Sequence, residues 1–264
     1  MSNVKIYVAC HLRDDNILKL PYSYYIPIHC GKAIYEKMAN KNGWSREGYL
    51  PELGDDTGNN ISHKNPNYCE LTGMYWAWKN DDSAPNDIIG LNHYHRYFAE
   101  ENSNDLELLT KETINEWLNE YDFLTNGADT ESEYECKIEE SVYQGYKDCH
   151  IINDLDIALE GVSKLYPELF ESINKSIKYS SAMGVCNMII TRKYLFDEYS
   201  KFLFSVLRYV ECNIDLKDDD HNDTYNERVF GFLGERLLRP WLMAKKYKAK
   251  SCPCLDWEKY IELI

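Results

Sequence analysis

The run Asp87–Asn92 (DIIGLN), set between the turn DDSAPN and the cluster His93-Tyr94-His95-Arg96-Tyr97-Phe98, constrains the fold more than any other stretch of the chain. An apolar run of this kind reads as a strand buried in a sheet. It delivers the chain's densest group of polar, aromatic and cationic side chains just past its C-terminal end. Val4–Ala9 reads as another strand of apolar and β-branched residues, ending at Cys10-His11. Helical patterns alternate with such strands, which predicts an α/β fold with a mostly parallel sheet and a ligand at the strand ends.

The remaining elements follow from periodicity. Ile26–Met38 has apolar positions at helical spacing, and Leu71, Met74, Tyr75 and Trp78 form the stripe of a helix over Tyr68–Lys79, with Asn65-Pro66 suited to its start. Between them, residues 43–67 are rich in Gly, Asn, Asp and Pro, a loop long enough to imply a function. Helices are expected over Leu106–Glu120, Ile151–Tyr166 (capped by Asn153 or Asp154), Lys193–Arg208 and Arg228–Lys245, the last with Gly231 and Gly234 in its early turns and a bend at Pro240. Tyr121–Thr125 and Met183–Thr191 read as strands. The 264 residues fit one domain, with a ligand-binding half over 1–125 and a more helical half over 126–264.

A formal charge of −15 repels a nucleic-acid backbone and gains little from an anionic membrane, so any phosphate must be met by local groups. No stretch reaches the roughly 18 apolar residues of a transmembrane helix, and the start MSNVKIYVACHL lacks the features of a signal peptide. Nine cysteines without a regular framework fit reduced thiols in a cytosol. The pair Cys252 and Cys254 lacks the second ligand pair a zinc site needs. With 22 tyrosines and 6 tryptophans, the chain has rings to stack on a sugar or a base as well as to fill a core.

No dinucleotide glycine fingerprint, P-loop, nucleophile elbow or zincin motif is present. The cluster after DIIGLN points instead to a phosphorylated ligand. Arg96 offers a forked guanidinium to diphosphate oxygens, and a histidine can donate to the same group or to departing charge.

Several separated strings carry a resemblance: YVACHL, GDDTGNNISHKNPNYCELTGMYWAWKN, DIIGLNHYHRYF and GFLGERLL. Over nearly its whole length the chain is similar to bacterial capsular and exopolysaccharide glycosyltransferases with an HYRRYF-type motif, a family that includes UDP-galactofuranose-dependent enzymes. The resemblance implies a GT-A-like, Rossmann-type nucleotide-binding sheet with a helical C-terminal acceptor-side part. It also implies a UDP-sugar donor, a glycan acceptor on a lipid carrier, and work in the cytoplasm at the inner membrane face. Carried over residue by residue, it puts Ala9 and His11 near the uracil and ribose, and Asn60, Ser62, Lys64, Asn65, Tyr68 and Glu70 along the donor, with Lys64 as diphosphate cation. His93, Tyr94 and Arg96 match the motif, while His95 stands where the family has arginine, which would make a phosphate contact there weaker or pH dependent. Met183 and Asn187 would face the acceptor.

Transfer needs a base for the acceptor hydroxyl and a group to neutralise the leaving diphosphate. Glu235 is the expected base, flanked by Arg228 and Arg236, with Asp220 and Asp223 in reserve. No metal is required on this reading, because HYHR occupies the place of a metal-binding DxD. Asp154-Leu155-Asp156 is explained as a helix cap, and Asp55-Asp56 and the run Asp218–Asp220 are the acidic alternatives for a cation. Two rival readings are the same scaffold with another nucleotide sugar, and a glycan-binding subunit without catalysis.

Overall fold

The computed structural model describes residues 2–102, 105–127, 129–131, 134–218, 220–221 and 223–261; Asp219 and Asn222 of the acidic loop lie outside the described residues. In chain order the strands and helices are β1 (Val4–Cys10), β2 (Tyr25–His29), α1 (Tyr35–Asn42), α2 (Asn65–Tyr68), α3 (Leu71–Asn80), β3 (Ile88–His93), β4 (Arg96–Asn102), β5 (Asp105–Leu108), α4 (Lys111–Glu120) and β6 (Phe123–Thr125). The second half supplies α5 (Val142–Cys149), α6 (Ile152–Leu165), α7 (Pro167–Tyr179), β7 (Ile189–Arg192), α8 (Lys193–Glu211), α9 (Val229–Lys245), β8 (Ala249–Ser251), β9 (Cys254–Asp256) and α10 (Trp257–Ile261).

The strands form one sheet in the order β2-β1-β3-β7-β6-β8, with β4 pairing β3, β5 and β9. Successive side chains of a strand point to opposite faces. Tyr7, Ala9, Ile89, Leu91, Phe123 and Ile189 therefore enter a core shared with α3 and α6–α9, whereas Val4, Ile6, Val8, Ile88, Leu124 and Ile190 enter a second core with α4 and Trp257. Burial on both faces is why DIIGLN carries no alternation. Trp241 of α9 anchors the larger core, touching Phe123, Tyr199, Phe202 and Tyr247 with ring centroids 5.1–5.9 Å away. Truncating it to alanine would cost roughly 3–5 kcal/mol.

The α/β class is as expected, and several elements differ. The sheet is mixed: β1 pairs in parallel with β2 and β3, and β6 with β8, but β7 runs antiparallel to β3. The expected helix over Ile26–Met38 is the edge strand β2 followed by a 3-10 turn and α1; Pro27 is tolerated because an edge strand has one side without a partner. Leu106–Glu120 splits into β5 and α4, with Thr110 as the cap that accepts from the Thr113 amide. Only the end of Met183–Thr191 is strand, because Cys186 and Asn187 both take positive φ. Asp154 does not cap α6; it is buried against His221, with the imidazole Nε2 3.1 Å from its Oδ2. The HYHR cluster, expected just past the strand, overlaps two strands. His93 ends β3, Arg96 begins β4, and Tyr94-His95 are the turn of a hairpin.

Candidate functional site at the rim of the parallel strands

Parallel pairing puts the C-terminal ends of β1, β2 and β3 side by side, with Cys10 opposite His29 and Ala9 opposite His93. A cavity of about 490 Å³ opens over this rim. Ala9, Cys10, His11, Cys30, His93 and Tyr94 form its floor. Met38, Asn42 and Trp44 close one side, Asn65, Pro66, Cys69 and Glu70 another, and Thr224, Glu227 and Arg228 the third. The parallel part of an α/β sheet binds ligands at this position.

Three non-glycine residues with positive φ gather at one wall, Cys69 (51°) lining the cavity and Cys186 (63°) and Asn187 (51°) behind it. Such backbone is costly and persists where the surroundings hold it in place. Here the holding groups are visible. Asn187 Nδ2 donates to Glu70 Oε1 (2.6 Å) and to the Gly231 carbonyl (3.0 Å). The Cys186 amide donates to Glu235 Oε1 (2.7 Å), and its carbonyl accepts from His93 Nε2 (2.7 Å). The same His93 nitrogen lies 3.8 Å from Glu70 Oε1. Gly231 and Gly234 allow this approach of chain to helix, since a Cβ on Gly234 would lie 2.5 Å from Asn187 Oδ1 and one on Gly231 3.2 Å from Cys69 Sγ.

Among the described residues that line the cavity, Glu70 and Glu227 are the carboxylates and Arg228 the cation, its Nε donating to Cys69 Sγ at 3.5 Å. Arg228 lines the cavity and stacks over Phe232 at 5.3 Å. Burial works against its charge, but Cys69, Glu70 and Glu235 hold its pKa above the usual value. Burial, reinforced by His93, His95 and Arg228, lowers His11 to about 4, so its ring is neutral at physiological pH and serves as a hydrogen-bonding group. Its edge meets Trp44 and Tyr94, with centroids 6.1 and 5.3 Å away. Glu235 is raised mainly by burial, opposed by Arg236 and the Cys186 amide.

Of the residues singled out from sequence, Ala9, His11, Asn65, Glu70, His93, Tyr94 and Arg228 share the cavity. Others do not reach it. Lys64 pairs with Glu211 of α8 (2.6 Å), and Tyr68 packs on Phe230 at 4.3 Å. Arg96 is exposed, its Nη1 3.4 Å from Cys186 Sγ, so the expected Lys64–Arg96 grip on a diphosphate is not assembled. Asn60 stays within its own loop, donating to the Thr57 and Gly58 carbonyls. Ser62 holds the buried Asp55 carboxylate, which also accepts from the Gly31 and Lys32 amides and fixes the long loop against β2. That use leaves Asp55 structural. Glu235 accepts from Arg236 (2.5 Å) as well as from Cys186 and is one layer behind the cavity wall. Met183 is half-buried in the segment before β7, and His95 faces Glu258 on the outer side of the hairpin. Asp223 caps its own turn by accepting from the Tyr225 and Asn226 amides, and Asp220 is exposed.

Sequence reading missed Trp44, Cys69, Cys186, Thr224 and Glu227. Trp44 follows Gly43, whose φ of 66° ends α1, and an aromatic after a helix-ending glycine was the one signal available.

The fold and cavity define an α/β protein with a polar ligand cleft at the C-terminal rim of its parallel strands. The chain belongs to the family described as Domain of unknown function (DUF4422), whose model matches residues 5–246. It is also similar to a solved structure described as the WbbM bifunctional glycosyltransferase in its apo form, with 28% identity and a TM-score of 0.75. The alignment covers 96% of this chain and 45% of that one, so this chain spans less than half the length of that protein. No curated protein sequence matches.

Proposed function

We propose that this protein is a glycosyltransferase that moves a hexose, galactofuranose first among the candidates, from a UDP-sugar to a growing cell-surface glycan. The observation that carries the reading is Arg228 and Glu70 facing one cavity, in a chain 28% identical over 96% of its length to part of a glycosyltransferase. Trp44, His11 and Ala9 receive the base and ribose, since an aromatic face and a neutral imidazole suit an uncharged heterocycle. Arg228 takes the diphosphate as a charge-assisted, forked partner. Residues 1–125 supply the nucleotide floor, and residues 126–264 supply Arg228 and the acceptor side, with Asn187 holding Glu70 from behind the wall.

Chemistry follows from Glu70 and Glu235. Glu70 reaches the cavity and is oriented by Asn187. It takes the proton of the acceptor hydroxyl, whose oxygen bonds to the anomeric carbon. The bond from that carbon to the diphosphate oxygen breaks, its electron pair leaves with UDP, and the anomeric configuration inverts. Arg228 neutralises the charge that develops on the leaving group. Glu235, saturated by Arg236 and the Cys186 amide, positions the Cys186–Asn187 segment and is not the base. The lipid-linked acceptor would be met at the inner membrane face; among the described residues no helix is long and apolar enough to cross a membrane.

The test is a thermal-shift and UDP-release panel over UDP-galactofuranose, UDP-galactose and UDP-glucose, with and without a glycan acceptor. UDP-sugars should raise the melting temperature, and Arg228→Ala should weaken that binding about 10–100-fold. Glu70→Gln should lower turnover roughly 10²–10⁴-fold with donor affinity kept. Stabilisation by none of the UDP-sugars, or full turnover in Glu70→Gln, overturns the reading.

A further inference from the structure

Three segments far apart in sequence converge behind the β3–β4 hairpin. Asp14 precedes a 3-10 turn at Asp15–Lys19, His95 sits in the hairpin turn, and Glu258 lies in the first turn of α10. Backbone contacts hold them in place: the Trp257 amide donates to the His95 carbonyl (2.9 Å), and Trp257 Nε1 donates to the Asn16 carbonyl (2.9 Å). One ligand-type atom from each of Asp14, His95 and Glu258 falls within 4.8 Å of the others.

Two of these groups have polar atoms with nothing to bond. Asp14 Oδ1 accepts from the Asn16 amide at 2.8 Å, which fixes the carboxylate, but its Oδ2 is buried without a hydrogen-bond partner among the described residues. His95 Nδ1 lies 3.0 Å from Glu258 Oε1 without forming a hydrogen bond, and this nitrogen too is buried without a hydrogen-bond partner among the described residues. The contact is therefore close without being directed. A buried polar atom left unpaired costs about 1–3 kcal/mol, so two beside one another call for a shared partner.

We propose that Asp14, His95 and Glu258 bind a divalent transition-metal ion, of the zinc or manganese class, outside the donor cavity. One imidazole nitrogen and two carboxylates give a borderline donor set with charge −2, matched by a divalent cation, and leave a position for water. Ligand atoms around such an ion stand roughly 3–3.5 Å apart for bonds near 2.1 Å. Glu258 Oε1 already stands at such a distance from His95 Nδ1 (3.0 Å), and its exposed side chain is free to adjust towards Asp14. The ion fastens α10 and the N-terminal segment to the hairpin turn. The His95 and Tyr94 ring centroids are 3.6 Å apart and those of Tyr94 and His11 5.3 Å, so occupancy stiffens the floor of the cavity. The site stands whether or not the chain transfers a sugar.

Its test is titration of the metal-stripped full chain with Zn²⁺ and Mn²⁺ by calorimetry, together with the visible spectrum of the Co²⁺ form. One equivalent should bind per chain, and His95→Arg and Glu258→Gln should each weaken it at least about tenfold, since each removes a ligand. The nine cysteines are an alternative zinc sink, and cobalt separates the two. Nitrogen and oxygen ligands give weak visible bands without thiolate charge transfer. Absence of a bound equivalent, binding that survives both substitutions, or a thiolate-type spectrum overturns the proposal.

Discussion

Single residues in this protein act through partners that lie far away in sequence. His221 shows it in the acidic stretch DLKDDDHNDTYN. Its ring is buried, with Nδ1 2.7 Å from Asp218 and Nε2 3.1 Å from Asp154. Burial alone would lower its pKa, but the bonds to Asp218 and Asp154 outweigh this and raise it above the ordinary 6.5. The folded state thus holds the proton more tightly than the unfolded one. That contribution is full below pH 6.5 and is lost as pH rises through the elevated folded value. Denaturant titrations from pH 7.5 to 9, above the range in which the histidines of lowered pKa titrate on unfolding, should show stability falling with pH, and His221→Gln should flatten the slope; an equal slope in both would remove this triad from the linkage.

At the scale of elements, the seat of α9 against the Cys186–Asn187 segment is the critical contact. It sets Asn187, and through it Glu70, and it depends on the absence of a side chain at position 234. Gly234→Ala relieves helix propensity by about 1 kcal/mol yet pushes a methyl group into the Asn187 amide. We expect turnover to fall about tenfold or more while the melting temperature moves by only a few degrees; a variant as active as the parent would show that Glu70 does not need this support. The spacing GFLGERLL was legible as a helix with permissive early turns, and Glu235 within it was the expected base. Which carboxylate faces the cavity was not legible, because Glu235 is consumed by its own neighbour Arg236 and by an amide 49 residues upstream.

For the molecule as a whole, the histidines removed from water set the response to acid. Buried His29 and half-buried His150 are each lowered to about 4, desolvation being the leading cause in both. Unfolding frees them to take up protons at their ordinary value near 6.5, so stability declines as pH falls from about 6.5 towards 4. A UDP-sugar in the cavity should slow this loss by holding the native state, and calorimetric scans between pH 7 and 4.5 with and without ligand measure it. Scans that stay level over that range would show these rings already solvated. The sequence by itself determined the α/β class and the rim residues Ala9, His11, His93 and Tyr94, because short apolar runs fix strands locally and the next residues must emerge at their ends. Only the tertiary structure decided which charges serve the cavity: Lys64 is drawn away to Glu211, 147 residues further on, while Arg228 and Glu70 are brought together across 158 positions of chain, from 228 − 70. Pairing of that kind depends on where the folded chain sets each helix, which no local pattern of residues encodes.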